Sequence, residues 1–373
     1  MNNELFKRRL ALVGLAPRTL QPPRPLTGRR PRVSVVVPCY NYGHYLADCV
    51  DSILSQDGVD ADIVIVDDAS PDGSAAVARS MAAGNARIQV IGHETNQGHI
   101  ATYNDGLAVI EGDYAVLLSA DDVLTPGSLA RAASLLEANP SVGMAYGHAV
   151  AFTNTYRPPV RTEPIGWTIW RGRDWLADRC RTGRNALRSP EAVMRTSVLR
   201  EIGLYRPDLP HAGDFEMWMR AARVSDIGHI AGVDQALYRV HDKNMHSATY
   251  ATTQAKGTVF ELEQRLASFE AVLDDSSSDR ELLAVARRSL ARRALTEAIR
   301  AYHRGEADVW PVDELAAFAE RLCPRSELRT QWAALERRKT GAKRSFHPLY
   351  QPRERIHQAV VELDRWRFRQ AGI

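Results

Sequence analysis

The feature that constrains this chain most is a regular alternation of apolar runs and amphipathic segments between residues 32 and 147. Runs such as RVSVVV and ADIVIVDD are rich in β-branched residues and predict strands, as do ARIQVIG, DYAVLLS and SVGMAYG. The segments between them predict helices; YLADCVDSILSQ, for example, places Leu46, Val50 and Ile53 on one face. Strands that alternate with helices form a mostly parallel sheet covered on both faces. The sequence therefore predicts an α/β domain.

Polar residues directly follow three of the predicted strands. They form the clusters Pro38-Cys39-Tyr40-Asn41, Asp67-Asp68 and Ser119-Ala120-Asp121-Asp122. Ligands of parallel α/β sheets bind outside the carboxyl ends of the strands. The three clusters therefore predict one binding site at that edge of the sheet.

Two adjacent acids, Asp121 and Asp122, lie between an apolar strand and a helix that starts with proline. A buried carboxylate is costly unless it is hydrogen-bonded, paired or bound to a metal ion. The two acids therefore suit a hard divalent cation that also binds substrate phosphates. For Asp122 alone, the alternative is an N-terminal helix cap. For one of Asp67 and Asp68, capping of the next turn is an equal alternative to ligand binding.

The sequence lacks the glycine motifs that hold phosphates. It contains neither GxGxxG after the first strand nor GxxxxGK[ST] anywhere, which argues against NAD(P) enzymes and P-loop NTPases. A diphosphate bound here would need a metal ion as its main counter-charge.

The section from about 150 to 250 shows few clean periodicities, so we expect long loops and short helices laid over the sheet. Its three tryptophans, Trp167, Trp170 and Trp175, either belong to the core or stack on a sugar or an aglycone. From about 251 the apolar pattern becomes helical.

Two later segments combine polar and apolar residues. In HAGDFEMWMR, Asp214 stands at the start of a predicted helix, where capping is its ordinary role. In ALYRVHDKN, Arg239 and His241 end a short predicted strand. A single histidine in such a place is more often structural than catalytic.

Charge is segregated along the chain. Residues 1–32 contain eight Lys and Arg against one acid, and residues 321–373 contain thirteen against five, which leaves 27 basic and 39 acidic residues in 33–320. The basic ends are either solvated tails or surfaces for anionic lipids or a partner protein. The C-terminal stretch 343–370 fits peripheral membrane contact and a homodimer helix equally well. We expect no nucleic-acid binding, because the sequence has no basic–aromatic platform.

The sequence contains no run of about 18 apolar residues and no signal peptide. Its four cysteines form no CxxC pair, which argues against a zinc finger and a disulfide framework. We therefore expect a cytoplasmic location, with peripheral contact to the inner face of the membrane as an option.

Taken in order, the segments VSVVVPCYN, VDDASPDGS, NQGHIATYNDGL, LLSADDVLTPGSL, GDFEMWMR and YRVH resemble the family 2 glycosyltransferases of the GT-A fold. The resemblance covers residues 33–245. It implies a Rossmann-like α/β domain with a mostly parallel central sheet and helices on both faces, followed by an α-helical C-terminal region. The expected organisation is a basic Pro/Arg-rich tail (1–32), a catalytic domain (33–250, with a nucleotide-sugar-binding half up to 150 and an acceptor half after it) and a helical region (251–373).

The resemblance also implies a donor site. The Pro38–Asn41 loop would bind the nucleotide with Tyr40 near the base, and Asp68 would accept from N3–H of uracil or thymine. Ser119-Ala120-Asp121 stands at the place of the DXD motif, with Ser119 replacing the first Asp. The implied nucleotide-sugar-binding residues are Pro38, Tyr40, Asn41, Asp67, Asp68, Asn96, Gly98, Ser119, Ala120 and Arg239.

The implied chemistry needs a metal ion and a base. Mg²⁺ or Mn²⁺ would be held by Asp121, Asp122 and His241. Asp214 matches the general base of the family's ED-type motif, and Gly213 stands where the Glu usually is. The implied reaction is an inverting single displacement from a UDP- or dTDP-sugar to a hydroxyl of a saccharide, a lipid-linked or a small-molecule acceptor.

Two other interpretations stay open. The substitutions Ser119 and Gly213 also fit a non-catalytic GT-A module that binds a partner, although Asp121 and Asp214 are retained. A sugar nucleotidyltransferase uses a related sheet, but PCYNYGHYL lacks the glycine-rich loop and basic residue that it would need.

Overall fold

The structure is a computed structural model that describes residues 19–185, 187–242, 244, 254–340 and 350–373. The expectations for 1–18 and 343–349, and for the domain boundary near 250, lie outside these residues. The chain divides into two compact units. Of the described residues, the first unit contains 19–176, 187–241 and 367–373, and the second contains 177–185 and those of Asp242–Trp366.

A nine-stranded sheet forms the centre of the first unit. In spatial order its strands are β1 (Thr19–Gln21), β9 (Gly166–Trp170), β11 (Asp226–Ala231), β7 (Val142–Tyr146), β10 (Ala192–Arg195), β5 (Tyr114–Leu117), β2 (Arg32–Cys39), β3 (Asp60–Asp67) and β4 (Ile88–Gly92). In the described part of the chain, β9 and β10 run against the common direction of the other seven. A second sheet contains β6 (Val123–Leu124), β12 (Ala236–Arg239) and β8 (Ala149–Phe152). The predicted fold class is therefore confirmed.

The helices up to residue 224 are α1 (Leu46–Leu54), α2 (Ser74–Gly84), α3 (His99–Ala108), α4 (Ser128–Ala138), α5 (Gly172–Thr182), α6 (Thr196–Ile202) and α7 (Gly213–Val224). Every strand and helix predicted up to residue 147 is present. Helix α3 lies close to the sheet because Gly106 has no side chain: a Cβ there would lie 2.3 Å from Cγ1 of Val36. This approach holds the loop before α3 beside the end of β3.

The section from 150 to 250 departs from the expected loops and short helices. It supplies β9, β10 and β11 to the main sheet and β12 to the small one. The short strand predicted before Arg239 is β12. Strands β9, β10 and β11 are four to six residues long and mostly buried on both faces, so they lack the polar–apolar alternation that would have revealed them. Trp167, Trp170 and Trp175 are all buried in the core, which settles the choice between core and sugar stacking.

Part of the predicted tail (1–32) belongs to the sheet domain. Thr19–Gln21 forms the edge strand β1, which pairs with β9. Leu26 packs against the core of the first unit. The basic composition of this segment concealed its role, because only a few apolar residues are needed for one edge strand.

The second unit is helical, as predicted. Its helices include α8 (Gln254–Val272), α9 (Ser277–Arg304), α10 (Val312–Leu322) and α11 (Arg329–Thr340), and α12 (Tyr350–Ala371) follows. Alanine and leucine side chains line the buried face of α9, among them Leu290, Ala294 and Ala298. None of the described helices has the length and apolar character needed to span a bilayer.

The last seven residues belong to the first unit. The indole Nε1–H of Trp170 donates to the carbonyl of Ala371 at 2.8 Å, and the hydroxyl of Tyr146 donates to the carbonyl of Gly372. Phe368 is buried, and its ring stacks on that of Tyr146 with 6.0 Å between centroids. The C-terminal segment is therefore part of the sheet domain's core.

Candidate functional site

The loops after β2, β3 and β5 meet at one edge of the sheet. The backbone N–H of Asp68 donates to the carbonyl of Cys39 at 3.0 Å, and that of Ala120 donates to the carbonyl of Pro38 at 3.3 Å. Asn41 has a left-handed φ of 61°, and its N–H donates to Oγ of Ser70. The three predicted clusters are therefore joined by direct hydrogen bonds.

Tyr40 extends from this edge with 45% of its surface exposed, so its ring is free to contact a ligand. The neighbouring Oδ1 of Asn41 and Oδ1 of Asp67 are buried and accept no hydrogen bond from the described residues. The other oxygen of Asp67 accepts from N–H of Ser70 at 3.1 Å. Asp67 thus acts in the turn after β3, as the capping alternative predicted.

Asp68 is held by the loop that precedes α3. Its Oδ1 accepts from N–H of Gln97 at 2.7 Å, and its Oδ2 accepts from N–H of Gly98 at 2.9 Å. Nδ1 of His93 lies 2.8 Å from Oδ1, and Nε2 of the same ring lies 3.0 Å from Asp105. Burial acts to raise the pKa of Asp68, but the hydrogen bonds from Gln97, His93 and Gly98 outweigh it, and the pKa lies below its usual value.

Gly98 and Asn96 lie in this loop. Gly98 has a φ of +86°, a conformation that L side chains rarely adopt, and this turn directs its N–H at Asp68. Asn96 is exposed two residues earlier. The structure thus brings Gly98 into contact with Asp68, while Asn96 lies in the same loop.

Asp121 and Asp122 lie buried in the loop after β5. Oδ2 of Asp121 lies 3.0 Å from Nε2 of His241, and Oδ1 of Asp122 accepts from the backbone N–H of Arg239 at 2.9 Å. Ser119, half-buried, accepts through its carbonyl from N–H of Asp122 at 2.9 Å. The predicted metal ligands are therefore neighbours in space.

Burial disfavours the charged forms of the two carboxyl groups. Burial raises the pKa of Asp121, although His241 offsets part of this. Burial and the adjacent charge of Asp121 together raise the pKa of Asp122 well above its usual value. Two adjacent carboxylates whose ionised forms are disfavoured gain most from a bound cation.

The charge of Arg239 opposes the rise of both pKa values. Its guanidinium is buried and donates to the carbonyl of Asp121 at 2.8 Å, to Asn154 at 2.8 Å and to Asp48 at 3.1 Å. It also lies 4.3 Å from the ring centroid of Tyr45. Arg239 therefore holds the loop after β5 in place through protein contacts.

The donor set of this loop fits a divalent cation. Among the described residues, no group of three or more His, Cys, Asp or Glu side chains is arranged to hold a metal ion. Carboxylate oxygens and one imidazole can supply part of the coordination of Mg²⁺ or Mn²⁺, and these ions take their remaining ligands from water and substrate phosphates. Asp121, Asp122 and His241 therefore offer donor atoms of suitable types, but among the described residues they do not form a complete metal site.

Asp214 lies at the start of α7, half-buried. Its Oδ2 accepts from Oγ–H of Ser189 at 2.5 Å, and its Oδ1 accepts from the hydroxyl of Tyr205 at 2.8 Å. Burial raises the pKa of Asp214, and both hydrogen bonds oppose that rise. Gly213 packs tightly, since a Cβ there would lie 3.0 Å from Cδ1 of Tyr205. A larger residue at this position would press on the tyrosine that orients Asp214.

Sequence reasoning missed several residues that contact the predicted ones. They are His93 beside Asp68, and Ser189 and Tyr205 beside Asp214. Arg188, next to Ser189, is close enough to Asp122 for its charge to lower the pKa of that carboxyl, and Ser189 contacts Asp214. No motif marks these residues, because each acts through a long-range contact.

Comparison with known proteins shows what this domain resembles. Residues 34–203 match the sequence model of the Glycosyl transferase family 2. Over these residues the chain is similar to the family 2 glycosyltransferases. A relative described as an uncharacterized glycosyltransferase of Haemophilus influenzae is 27% identical over 225 residues, which are 59% of this chain and 68% of that protein. The chain spans only 62% and 38% of the length of the next two curated relatives.

Two solved structures have a similar fold. The TarS protein of S. aureus, in complex with UDP-GlcNAc, superposes with a TM-score of 0.59 at 17% identity, covering 82% of this chain and 89% of that one. The mannosyltransferase PcManGT of Pyrobaculum calidifontis, in complex with GDP-Man and Mn²⁺, gives a TM-score of 0.51 at 19% identity, covering 90% and 92%. The fold is thus that of GT-A glycosyltransferases.

Proposed function

We propose that this chain is an inverting glycosyltransferase that transfers a sugar from a UDP- or dTDP-sugar to an acceptor hydroxyl, with Mg²⁺ or Mn²⁺ as cofactor. The observation that carries the proposal is the pair of buried carboxylates at Asp121 and Asp122, whose pKa values are raised beside His241. A nucleoside diphosphate with a divalent cation would bring positive charge and further metal ligands to these carboxylates. The acceptor would be a saccharide, a lipid-linked saccharide or a small molecule.

The donor assignment rests on the three joined loops. Asp68 has an oxygen, Oδ2, that accepts one backbone hydrogen bond and has a lone pair left for N3–H of uracil or thymine. The exposed ring of Tyr40 is suited to stack on the base. Relatives of the same fold were solved with nucleotide sugars, TarS with UDP-GlcNAc and PcManGT with GDP-Man and Mn²⁺. The protonated N3 edge favours UDP or dTDP over CDP.

Asp214 is the proposed general base. Its raised pKa makes the carboxylate a stronger base than an exposed aspartate, and Ser189 and Tyr205 fix its two oxygens. It would take the proton of the acceptor hydroxyl as that oxygen attacks the anomeric carbon. No protein nucleophile is needed, since attack and departure occur in one displacement.

Asp121, Asp122 and His241 would hold the metal ion, with Arg239 fixing the backbone of their loop. When bound, a divalent cation acts as a Lewis acid that stabilises the charge on the departing nucleoside diphosphate. Positioning of donor and acceptor by the loops supplies the rest of the acceleration.

The test is turnover with a panel of donors, UDP-GlcNAc, UDP-glucose, a dTDP-sugar and GDP-mannose, with and without Mn²⁺. Release of the nucleoside diphosphate is measured for wild type, for Asp214→Asn, and for the exposed control Asp57→Asn. We expect Mn²⁺-dependent release of UDP or dTDP that falls by about a hundredfold or more in Asp214→Asn. Near-normal turnover of that variant would remove Asp214 from the mechanism. In a separate assay with UTP or dTTP and a sugar 1-phosphate, release of pyrophosphate would indicate a nucleotidyltransferase instead.

A further inference from the structure

Arg188 stands at a defined position between the two parts of the site. It directly precedes the short 3-10 turn Ser189–Glu191, whose serine contacts Asp214. The backbone N–H of Arg188 donates to Oε1 of the buried Glu191 at 2.7 Å, and the N–H of Glu191 donates back to the carbonyl of Arg188 at 3.2 Å. These reciprocal bonds, together with Pro190, fix the backbone from which the side chain extends.

The guanidinium of Arg188 lies over the ring of Tyr238, 4.6 Å from its centroid. Tyr238 is in β12, and the next residue, Arg239, donates its backbone N–H to Asp122. A guanidinium stacked on a ring keeps its N–H donors in its own plane, where they can bind a planar or tetrahedral oxyanion. The side chain is thus oriented by stacking and still has donors to offer.

Arg188 differs in this respect from Arg239. Its side chain is exposed, and no carboxylate of the described residues lies within ion-pair distance of it. Arg239, by contrast, is buried and donates to Asp48, Asn154 and the carbonyl of Asp121. A reactant that carries negative charge can therefore gain a new ion pair at Arg188 without displacing an existing one.

Negative charge accumulates around Arg188 when reactants bind. The site contains Asp67, Asp68, Asp121, Asp122 and Asp214, and a nucleoside diphosphate or a phosphorylated acceptor adds further negative charge. A metal ion neutralises charge only at its own loop. Arg188 directly precedes Ser189, which contacts Asp214, and its charge is close enough to Asp122 to act on that carboxyl. It is placed to attract an anion that lies between base and metal loop.

We propose that Arg188 binds a phosphate group of a reactant in the glycosyl transfer site. The proposal rests on the proposed function for the identity of the reaction. Two sources of that phosphate share the same chemistry, namely the diphosphate of the donor and a phosphate of the acceptor. Both would accept two N–H bonds from the guanidinium fork, which a lysine cannot reproduce.

The experiment compares wild type with Arg188→Gln, Arg188→Lys and the exposed control Arg79→Gln on α2. Binding of uridine, UDP and inorganic pyrophosphate is measured by calorimetry with Mn²⁺, and binding of inorganic phosphate is measured to the enzyme saturated with UDP and Mn²⁺. Thermal unfolding confirms that each variant is folded. We expect Arg188→Gln to weaken phosphate binding about tenfold to hundredfold, Arg188→Lys to weaken it less, and Arg79→Gln to leave it unchanged.

The binding measurements distinguish the donor diphosphate from the acceptor phosphate. A loss of UDP affinity with unchanged uridine affinity assigns Arg188 to the donor diphosphate. Unchanged UDP affinity with weaker phosphate binding to the UDP-loaded enzyme assigns it to the acceptor. Equal affinities of wild type and Arg188→Gln in every arm overturn the proposal. If wild type binds no nucleotide at all, the proposed function fails, and the pyrophosphate arm still decides the role of Arg188.

Discussion

The chain has two adjacent aspartates at the end of β3 and two in the loop after β5, at the same edge of the sheet. The pKa shifts of Asp68 and of the pair Asp121 and Asp122 have opposite directions. Asp68 receives hydrogen bonds from two backbone N–H groups and lies beside His93, and its pKa is lowered. Asp121 and Asp122 are buried side by side, and their pKa values are raised. Hydrogen bonds within the protein favour the charged form of Asp68, whereas burial disfavours the charged forms of Asp121 and Asp122.

This difference assigns separate roles to residues that look alike in sequence. A carboxylate whose charge is stabilised by the fold contributes to stability and can read a hydrogen-bond donor on a ligand. A carboxylate whose charge is destabilised by burial is suited to a metal ion. Mutations in the two loops should therefore separate binding from stability.

The largest effect is expected from Asp121→Ala. Loss of a direct ligand should weaken Mn²⁺ binding in the presence of UDP by about a hundredfold or more, since even second-shell partners of metal ligands contribute about 10–100-fold. The free energy of unfolding without metal should change little, because the repulsion of Asp122 disappears with the charge. Free Mn²⁺ measured by electron paramagnetic resonance gives the affinity, with Asp57→Ala as the exposed control. Unchanged Mn²⁺ affinity would show that Asp121 is not a metal ligand.

The opposite result is expected from Asp68→Asn. An amide cannot accept from Gln97, Gly98 and His93 together, so its NH₂ group would face a backbone donor. The free energy of unfolding should fall by about 2 kcal/mol, measured by urea denaturation. Asp57→Asn, in an exposed position, should stay within about 0.5 kcal/mol of wild type. A variant as stable as the control would show that the loop before α3 does not depend on this charge.

The pH dependence of stability should have opposite signs in the two loops. Since folding raises the pKa of Asp122, its contribution to stability is present below the unfolded pKa of about 4 and is lost as pH rises through the folded value. In metal-free protein, the free energy of unfolding of Asp122→Asn should therefore increase relative to that of wild type as pH rises from about 4. The increase is at most about 1.4 kcal/mol per pH unit. Asp68, whose pKa is lowered, contributes above pH of about 4 and loses that contribution as pH falls. Urea titrations of both variants across this range test the signs, and parallel curves would contradict them.

A smaller effect is expected at Asp214, which shares features of both loops. Its pKa is raised by burial but restrained by Ser189 and Tyr205. Ser189→Ala should raise the pKa of Asp214 further, so the fall of kcat/KM on the acid side should begin at a higher pH. At alkaline pH, kcat/KM of the variant should approach that of wild type. Tyr205→Phe should shift the limb in the same direction. A uniform loss of rate at all pH values would mean that Ser189 positions the substrate rather than tuning the base.

The sequence predicted one half of the molecule better than the other. The strands and helices up to residue 147 were readable because β-branched runs alternate with amphipathic segments. Strands β9, β10 and β11 were missed, since they are short and buried on both faces and thus carry no alternating pattern. The edge strand Thr19–Gln21 and the C-terminal contacts of Trp170 and Tyr146 were hidden because they depend on partners far along the chain.

The candidate site shows the same limit. Asp68, Asp121 and Asp214 could be selected from sequence because they follow strands or start a helix within recognisable segments. Their supporting partners could not, because Ser189 is 25 residues from Asp214 and His93 is 25 residues from Asp68. The opposite pKa shifts of the two loops depend on burial and on hydrogen bonds, which composition does not encode.

We propose that the loop of Asp121 and Asp122 binds a nucleoside diphosphate only together with a divalent cation. The decisive experiment is calorimetric titration of wild type with UDP, dTDP, GDP and CDP, each with Mn²⁺ and with a chelator. We expect UDP or dTDP to bind, and only when Mn²⁺ is present. Equal affinity with the chelator, or no binding of any of the four, would contradict it.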